Sequence, residues 1–226
     1  MTDISEIIKK IDQKIEIPKI YNKIHNGLVW INVKNNKGFL CIPKCASSGI
    51  RQKFKYLLTK DINNIDKKIE IFTILRNPIT RYISAYIEVI QDCKQYPGGR
   101  YHHNLEISKN KINIIDNIIK SNKTNIEKFV KFTNLILNKW GFFEPHTTPQ
   151  INFLSRNKIL FKNIKIFKLE KINELEEYFN SKIPKLNSCE NKKLKNELLN
   201  FIESNYEFKN KIINLYKNDF IIYNNI

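Results

Sequence analysis

The sequence predicts an α/β fold with a largely parallel sheet, and three observations carry that prediction. An apolar run over residues 38–42 passes through Pro43, Lys44 and a stretch of small residues into a helical pattern. A second run, IEIFTIL over 69–75, passes through Arg76 and Asn77 to Pro78, a residue suited to the first turn of a helix. A third run over 164–169 leads into a helical pattern over 171–179. Strand followed by helix, repeated, is how a chain builds parallel strands.

The remaining elements follow in chain order. Residues 1–27 read as a helical lead-in, broken at Pro18. Residues 28–33 are β-prone and are separated from the run at 38–42 by Asn35, Asn36 and Lys37, a hairpin signal. Ser47, Ser48 and Gly49 open a helical pattern reaching from 50 to 58. The helix that starts at Pro78 runs to about Cys93. Residues 94–111, with YPGGRYHHN, read as an exposed loop. Ile126, Phe129, Val130, Thr133 and Leu137 share one face of an amphipathic helix over 125–139. A loop carries Glu144, Pro145 and His146, and two more helical patterns fill 191–218. There is no internal repeat and no low-complexity linker, so the 226 residues are expected to form a single domain.

Hydrophobic residues make up 42% of the chain, enough for a substantial core at this length. The formal net charge is +17, from 39 Lys and Arg against 22 Asp and Glu. Such a field draws polyanions: nucleic acid, anionic glycans and nucleotide cofactors. Codon bias of an AT-rich genome favours Lys, Ile and Asn and inflates the charge. No run of five or six like charges forms a basic tail, which argues against nucleic acid as the partner. No secretory signal and no membrane-spanning stretch is visible, and the expected location is cytoplasmic. Cys41, Cys45, Cys93 and Cys189 form no CxxC pair and lack a partnering His at zinc spacing. Free buried thiols and no metal are the expectation. The sequon at Asn122–Lys123–Thr124 is what an Asn-rich chain produces by chance.

Two segments carry the chemistry. In IPKCASSGIR the small side chains let backbone N–H groups approach a phosphate, and a helix N-terminus adds partial positive charge. Lys44 supplies a full charge. Cys45, Ala46 and Gly49 supply N–H groups, and Ser47 and Ser48 add hydroxyl donors. This is the work of a P-loop, although GxxxxGK[ST] is absent. In RNPITRYISAY, Arg76 follows a strand end, where open α/β sheets bind ligands, and Ser84 lies about two helical turns further on. Together they suit a second phosphate, with the Arg as a charge-assisted fork. Arg81 reads as a structural or solvated cation, and Tyr82 and Tyr86 as packing residues.

These motifs give the chain a family resemblance. IPKCASSGIR resembles the 5′-phosphosulfate loop of sulfotransferases that use 3′-phosphoadenosine-5′-phosphosulfate (PAPS). RNPITRYISAY resembles their 3′-phosphate motif, in the same order and at a similar separation. The Pro-Lys-Cys-Ala-Ser form is closest to the Golgi-type carbohydrate sulfotransferases of chondroitin, dermatan and HNK-1 type. EPHTTPQINFL, IFKLEKINELEEYF and LYKNDFIIY are similar to that family's His-x-x-Pro segment, strand–Glu–helix segment and closing helix. The resemblance covers about 37–223. It departs from the animal members in lacking their transmembrane anchor and stem.

The resemblance implies a P-loop-type parallel sheet flanked by helices, PAPS as donor, adenosine 3′,5′-bisphosphate (PAP) as product and no metal. It implies Lys44 as the group that meets charge on the leaving oxygen, and an acceptor hydroxyl or amine, with an anionic glycan as one option. For the base, His146 is preferred because it lies in the family-like segment and an imidazole titrates near neutrality. His102, His103, Glu88 and Glu144 stay open, and His25 reads as structural. A non-catalytic nucleotide binder keeps Lys44, Arg76 and Ser84 without the base. A nucleic-acid binder would spread its Lys and aromatics over one surface instead. A P-loop kinase is a weaker reading, for want of a Walker motif. Neither the acceptor nor the oligomeric state is legible.

Overall fold

The computed structural model describes residues 28–32, 36–53, 57–61, 65–66, 68–95, 109–142, 146–155, 164–184 and 191–226. The helical lead-in with His25, the loop residues His102 and His103, Glu144 and Cys189 lie outside the described residues.

The chain divides into two compact units. One takes the described residues up to Pro78, those within 149–188, and Tyr216–Ile226; the other takes Ile79–Thr148 and those within 189–215.

The first unit holds the sheet. Its strands are β1 (Leu28–Asn32), β2 (Lys37–Leu40), β3 (Leu57–Asp61), β4 (Glu70–Leu75) and β5 (Ile164–Lys168). Their order is β3-β1-β2-β4-β5. β2, β4 and β5 pair in parallel, and β1 runs against both of its neighbours, so four of the five strands point the same way. The hairpin between β1 and β2 turns through Asn36 at φ 52°, a left-handed conformation that Asn tolerates. β3 corrects the expectation of a helix from 50 to 58. The helix α1 is shorter, Ser47–Lys53. Leu57–Asp61 pairs along the outer edge of β1. Filling that edge outweighs local helical preference.

Helices α5 (Gln150–Ser155), α6 (Ile172–Tyr178) and α9 (Lys217–Asn225) complete this unit. On one sheet face, Phe39 and Phe72 stack with ring centroids 5.2 Å apart, and Phe179, after α6, sits 4.9 Å from Phe72. The core continues through Val29, Ile42, Cys45, Ile50, Ile74, Leu154, Leu175 and Ile222, all buried. At the amino end of the parallel strands, Lys37 reaches both Glu70 and Tyr178, and Lys165 lies 3.2 Å from Glu70. Lys37 through its hydrogen bond, then the Tyr178 hydroxyl and Lys165, hold the Glu70 carboxyl down to about 2.

The second unit is helical: α2 (Pro78–Gln95, from Ile79 on), α3 (Lys109–Lys120), α4 (Asn125–Leu135), α7 (Lys192–Ser204) and α8 (Tyr206–Leu215). The helix α3 takes over the end of the expected loop and buries Ile115 and Ile118. Thr124 caps α4 in a reciprocal box with Glu127, so the threonine of the sequon has a structural use. α4 ends in one π turn, Ile136–Trp140, closed by Gly141 at φ 59°. Tyr82 and Tyr86 are packing residues, as expected. Tyr86 stacks edge-on against Phe129 at 4.9 Å, and the Tyr82 hydroxyl donates to Thr133 Oγ1 at 2.9 Å. The two helical patterns expected over 191–218 are α7 and α8, and the expected closing helix is α9, with breaks at Asn205 and Tyr216. Among the described residues, no helix is long and apolar enough to cross a membrane.

Two predictions follow from the first unit. A Cβ on Gly49 would lie 2.3 Å from the Pro184 carbonyl oxygen, a backbone atom that cannot swing aside. Gly49→Ala should therefore cost about 1–3 kcal/mol and lower the melting temperature by several degrees, read by circular dichroism. An unchanged melt would contradict this close approach. Glu70 has a folded pKa below its unfolded value, so its contribution is present above the ordinary carboxylate range. That contribution is lost as pH falls from about 4.5 toward about 2. The melting temperature of Glu70→Gln should lie below that of the wild type at pH 7, and the gap should close across that acid window. A gap that stayed constant with pH would remove the ion pairs as its cause.

Candidate functional site

The parallel strands β2, β4 and β5 place their carboxyl ends along one edge of the sheet. β2 ends at Leu40 and gives way to the loop of Cys41–Ala46 and then to α1; β4 ends at Leu75 and gives way to Arg76. In open α/β sheets this is the edge that binds ligands.

The loop after β2 is conformationally unusual. Lys44 has φ 66° and Ala46 has φ 58°, with Cys45 between them. Neither residue is a glycine, and each such conformation costs roughly 1–3 kcal/mol unless its surroundings hold it. Hydrogen bonds on both sides of the pair hold it here. Cys45 is fully buried, its N–H donates to the Ile42 carbonyl at 3.3 Å, and its thiol donates to Gln150 Oε1 at 3.2 Å. The Ile50 N–H donates to the Ala46 carbonyl at 3.1 Å, which starts α1 directly after the strained pair. Arg76 Nη1 donates to the Lys44 carbonyl at 3.3 Å. A turn with left-handed residues of this kind presents successive backbone N–H groups on one side, an anion-binding concavity. Within the first turn of α1, the N–H groups of Ser47, Ser48 and Gly49 have no intrahelical acceptor.

Cys45 departs from the sequence expectation. Its N–H is spent within the turn and its side chain anchors the loop from beneath. It is not exposed as a nucleophile. Cys41 is also a free thiol; burial pushes it up to about 12, against the opposing pull of Arg51. A thiol held protonated in this way is a poor nucleophile.

Arg76 is tied at every backbone group. Its N–H donates to Gln150 Oε1 at 2.9 Å, and its carbonyl accepts from Gln150 Nε2 at 2.8 Å. The next N–H, of Asn77, donates to Glu170 Oε1 at 3.0 Å. Glu170 follows β5 and takes the Tyr223 hydroxyl on its other oxygen at 2.9 Å. Gln150 is itself fixed by Asp219, which is 1% exposed. The two Asp219 oxygens accept the N–H groups of Gln150 and Ile151, each at 2.8 Å. Gln150, Glu170 and Asp219 were not singled out from the sequence. All three lie in the segments EPHTTPQINFL, IFKLEKINELEEYF and LYKNDFIIY, so their neighbourhood was legible and their individual roles were not.

Lys44, Cys45 and Arg76 thus belong to one hydrogen-bonded group in the first unit, and Ala46, Ser47, Ser48 and Gly49 follow directly in the chain at the start of α1. Ser84 and His146 belong to the second unit. Ser84 is 5% exposed on α2. His146 is half-buried in the turn before Thr147 and Thr148, which are buried. Glu88 is half-buried on α2. Arg81 is structural: it is 1% exposed and donates to the Thr148 carbonyl at 2.8 Å. Among the described residues, no group of three or more His, Cys, Asp or Glu side chains is placed to hold a metal ion.

Comparison with the curated proteins and with the solved structures gives no match. The sulfotransferase family does match, over residues 29–224, a span that runs through both units and nearly the whole chain. That span contains the strained loop after β2, the tethered Arg76 and the α/β sheet that positions them, and the chain belongs to the sulfotransferase family.

Proposed function

We propose that the chain transfers a sulfuryl group from PAPS to an acceptor hydroxyl or amine, and that the two units act as one domain. The observation that carries the reading is the pairing of two cationic positions at the carboxyl edge of the sheet. Lys44 stands in a strained loop suited to an anion, and its carbonyl is bonded to the guanidinium of Arg76, 3.3 Å away. One phosphate site would make a general nucleotide loop. Two sites, on a chain of this family, suit a nucleotide with phosphates at both its 5′ and 3′ positions.

PAPS supplies the sulfuryl group, and negative charge collects on the bridging oxygen of its 5′-phosphate as the group departs. Lys44 neutralises that charge, with the N–H groups of Ala46, Ser47, Ser48 and Gly49 and the serine hydroxyls around it. Cys45 keeps the loop in shape from below. Arg76 holds the 3′-phosphate. His146 takes the proton of the acceptor or orients it. The acceptor we propose is a carbohydrate hydroxyl. The Pro-Lys-Cys-Ala-Ser form of the loop supports that choice, and the net charge of +17 favours an anionic glycan. The direct experiment is incubation with sulfur-labelled PAPS and a panel of glycans, phenols, lipids and peptides. Label on a glycan supports the reading. Tight PAP binding with no transfer to any class would leave a nucleotide-binding protein in its place.

The two cationic positions should separate in their effects. Calorimetry should show PAP bound much more tightly than AMP, and Arg76→Ala should erase most of that preference, a loss of roughly 1.5–3 kcal/mol. Equal affinity of the wild type for both nucleotides would sink the 3′-phosphate assignment. Lys44→Ala should lower turnover by about 10²–10³ with little change in PAP affinity, because the ammonium acts most strongly on charge that develops late. His146→Ala should likewise spare PAP binding and lower transfer by about 10²–10⁴. Steady-state kinetics with an accepted substrate read both; a raised Michaelis constant at unchanged turnover would remove Lys44 from the chemistry.

A further inference from the structure

Gln150 makes contacts that its position in the chain does not explain. It is 1% exposed, at the first residue of a helix only six residues long. Its amide closes a two-bond ring on Arg76, accepting the N–H at 2.9 Å and donating to the carbonyl at 2.8 Å. It gives residue 76, one position past the end of β4, the pair of bonds a neighbouring strand would have given. The same Oε1 accepts the Cys45 thiol at 3.2 Å. The amide orientation is forced, since a flipped NH₂ would face both an N–H and an S–H. Glu lacks the donor, Asn is too short, and an apolar residue lacks both groups. Asp219 secures the backbone from which this side chain extends.

We propose that Gln150 is a positioning residue for the nucleotide site, acting through Arg76 and the Lys44 loop. The inference rests on the two-phosphate reading above. Gln150 bonds the Arg76 backbone on one side and Cys45, the residue between the two strained positions, on the other. It sets the distance between the Lys44 loop and Arg76. It thereby sets which phosphate spacing the site accepts. A residue needed only for stability would weaken binding of every nucleotide alike; a positioning residue changes the preference among them.

The test uses the full chain with three variants. Gln150→Met keeps length and volume and removes all three bonds. Gln150→Glu keeps the acceptor and loses the donor. Thr73→Val is the stability control: it loses the buried bond from Thr73 Oγ1 to the Leu40 carbonyl and touches neither Lys44 nor Arg76. PAP and AMP affinities are measured by calorimetry well below each melting temperature. Gln150→Met should cut the preference for PAP over AMP by about tenfold, with AMP affinity moving less than about threefold. Gln150→Glu should fall between, and Thr73→Val should keep the wild-type ratio at a lowered melting temperature. A wild-type ratio in both Gln150 variants overturns the proposal.

A second measurement needs no nucleotide: the rate of Cys45 alkylation by iodoacetamide, read by peptide mass mapping. It should rise about tenfold in Gln150→Met and stay near the wild-type rate in Thr73→Val. If the wild type itself fails to prefer PAP while alkylation rises as stated, the two-phosphate reading has failed and the clamp on the loop stands. If the wild type prefers PAP and alkylation is unchanged in Gln150→Met, the clamp has failed. Should Gln150→Met not fold, the PAP-to-AMP preference of Gln150→Glu decides the proposal, and alkylation of Cys45 in that variant should stay near the wild-type rate because the acceptor of its thiol is kept.

Discussion

Two buried side chains, the Gln150 amide and the Asp219 carboxylate, join four segments that are far apart in the chain. Asp219 in the closing helix α9 binds the first two N–H groups of α5. Gln150, the first residue of α5, binds both backbone groups of Arg76 and the thiol of Cys45. Each of these groups is buried or partly so, and each would carry a desolvation cost of about 1–3 kcal/mol if left without a partner. Satisfying them in series fixes α5 against the carboxyl edge of the sheet. The arrangement also makes each contact depend on the others. Without Asp219 the start of α5 loses its acceptors, and the Gln150 side chain is no longer anchored where Arg76 needs it.

The same dependence explains how the loop after β2 keeps two non-glycine residues at positive φ. Asn36 holds such an angle in an exposed hairpin, where its side chain makes the conformation cheap. Lys44 and Ala46 have no such help. Their conformations are held from outside: by the buried Cys45 between them, by Arg76 on the Lys44 carbonyl, and by α1 starting on the Ala46 carbonyl. Gly49 is required for a different reason. Its backbone is helical, but Pro184 lies where a side chain would begin. A lysine in a strained loop is worth its cost only if the loop must present charge and N–H groups to the same point. A sulfuryl transferase has that need at the leaving oxygen.

What the sequence disclosed followed from periodicity and from local chemistry. The strand–loop–helix around Lys44, the strand end at Arg76, the hairpin at Asn36 and the amphipathic face of α4 are all local signals, and the structure shows each of them. What it concealed was set by distant partners. β3 reads as a continuation of α1 because its partner, the edge of β1, is visible only once the sheet exists. The first two N–H groups of α5 find their acceptor in Asp219, in the last helix of the chain, which no local signal shows. Cys45 reads as an N–H donor because the sequence shows a small residue in a loop. Its buried thiol, bonded to Gln150, becomes meaningful only when residue 150 is brought beside it. Gln150 itself lies in EPHTTPQINFL with nothing to mark it, since a glutamine gives no charge, no periodicity and no metal-ligand spacing.

Charge and geometry therefore do separate work in this protein. The net charge of +17 acts at long range and draws any polyanion, with little regard for its shape. Discrimination among anions has to come from cations whose spacing does not relax. An arginine on a free loop would follow whichever phosphate arrived. Arg76 is denied that freedom at its N–H, at its carbonyl, and through Glu170 at the next N–H along. Its guanidinium shares the Lys44 carbonyl with the loop that Lys44 belongs to. The neutral residues and carboxylates around the two cations hold the Lys44 loop and Arg76 together in a way that nothing holds an isolated surface lysine, and the proposed two-phosphate reading depends on that fixed spacing.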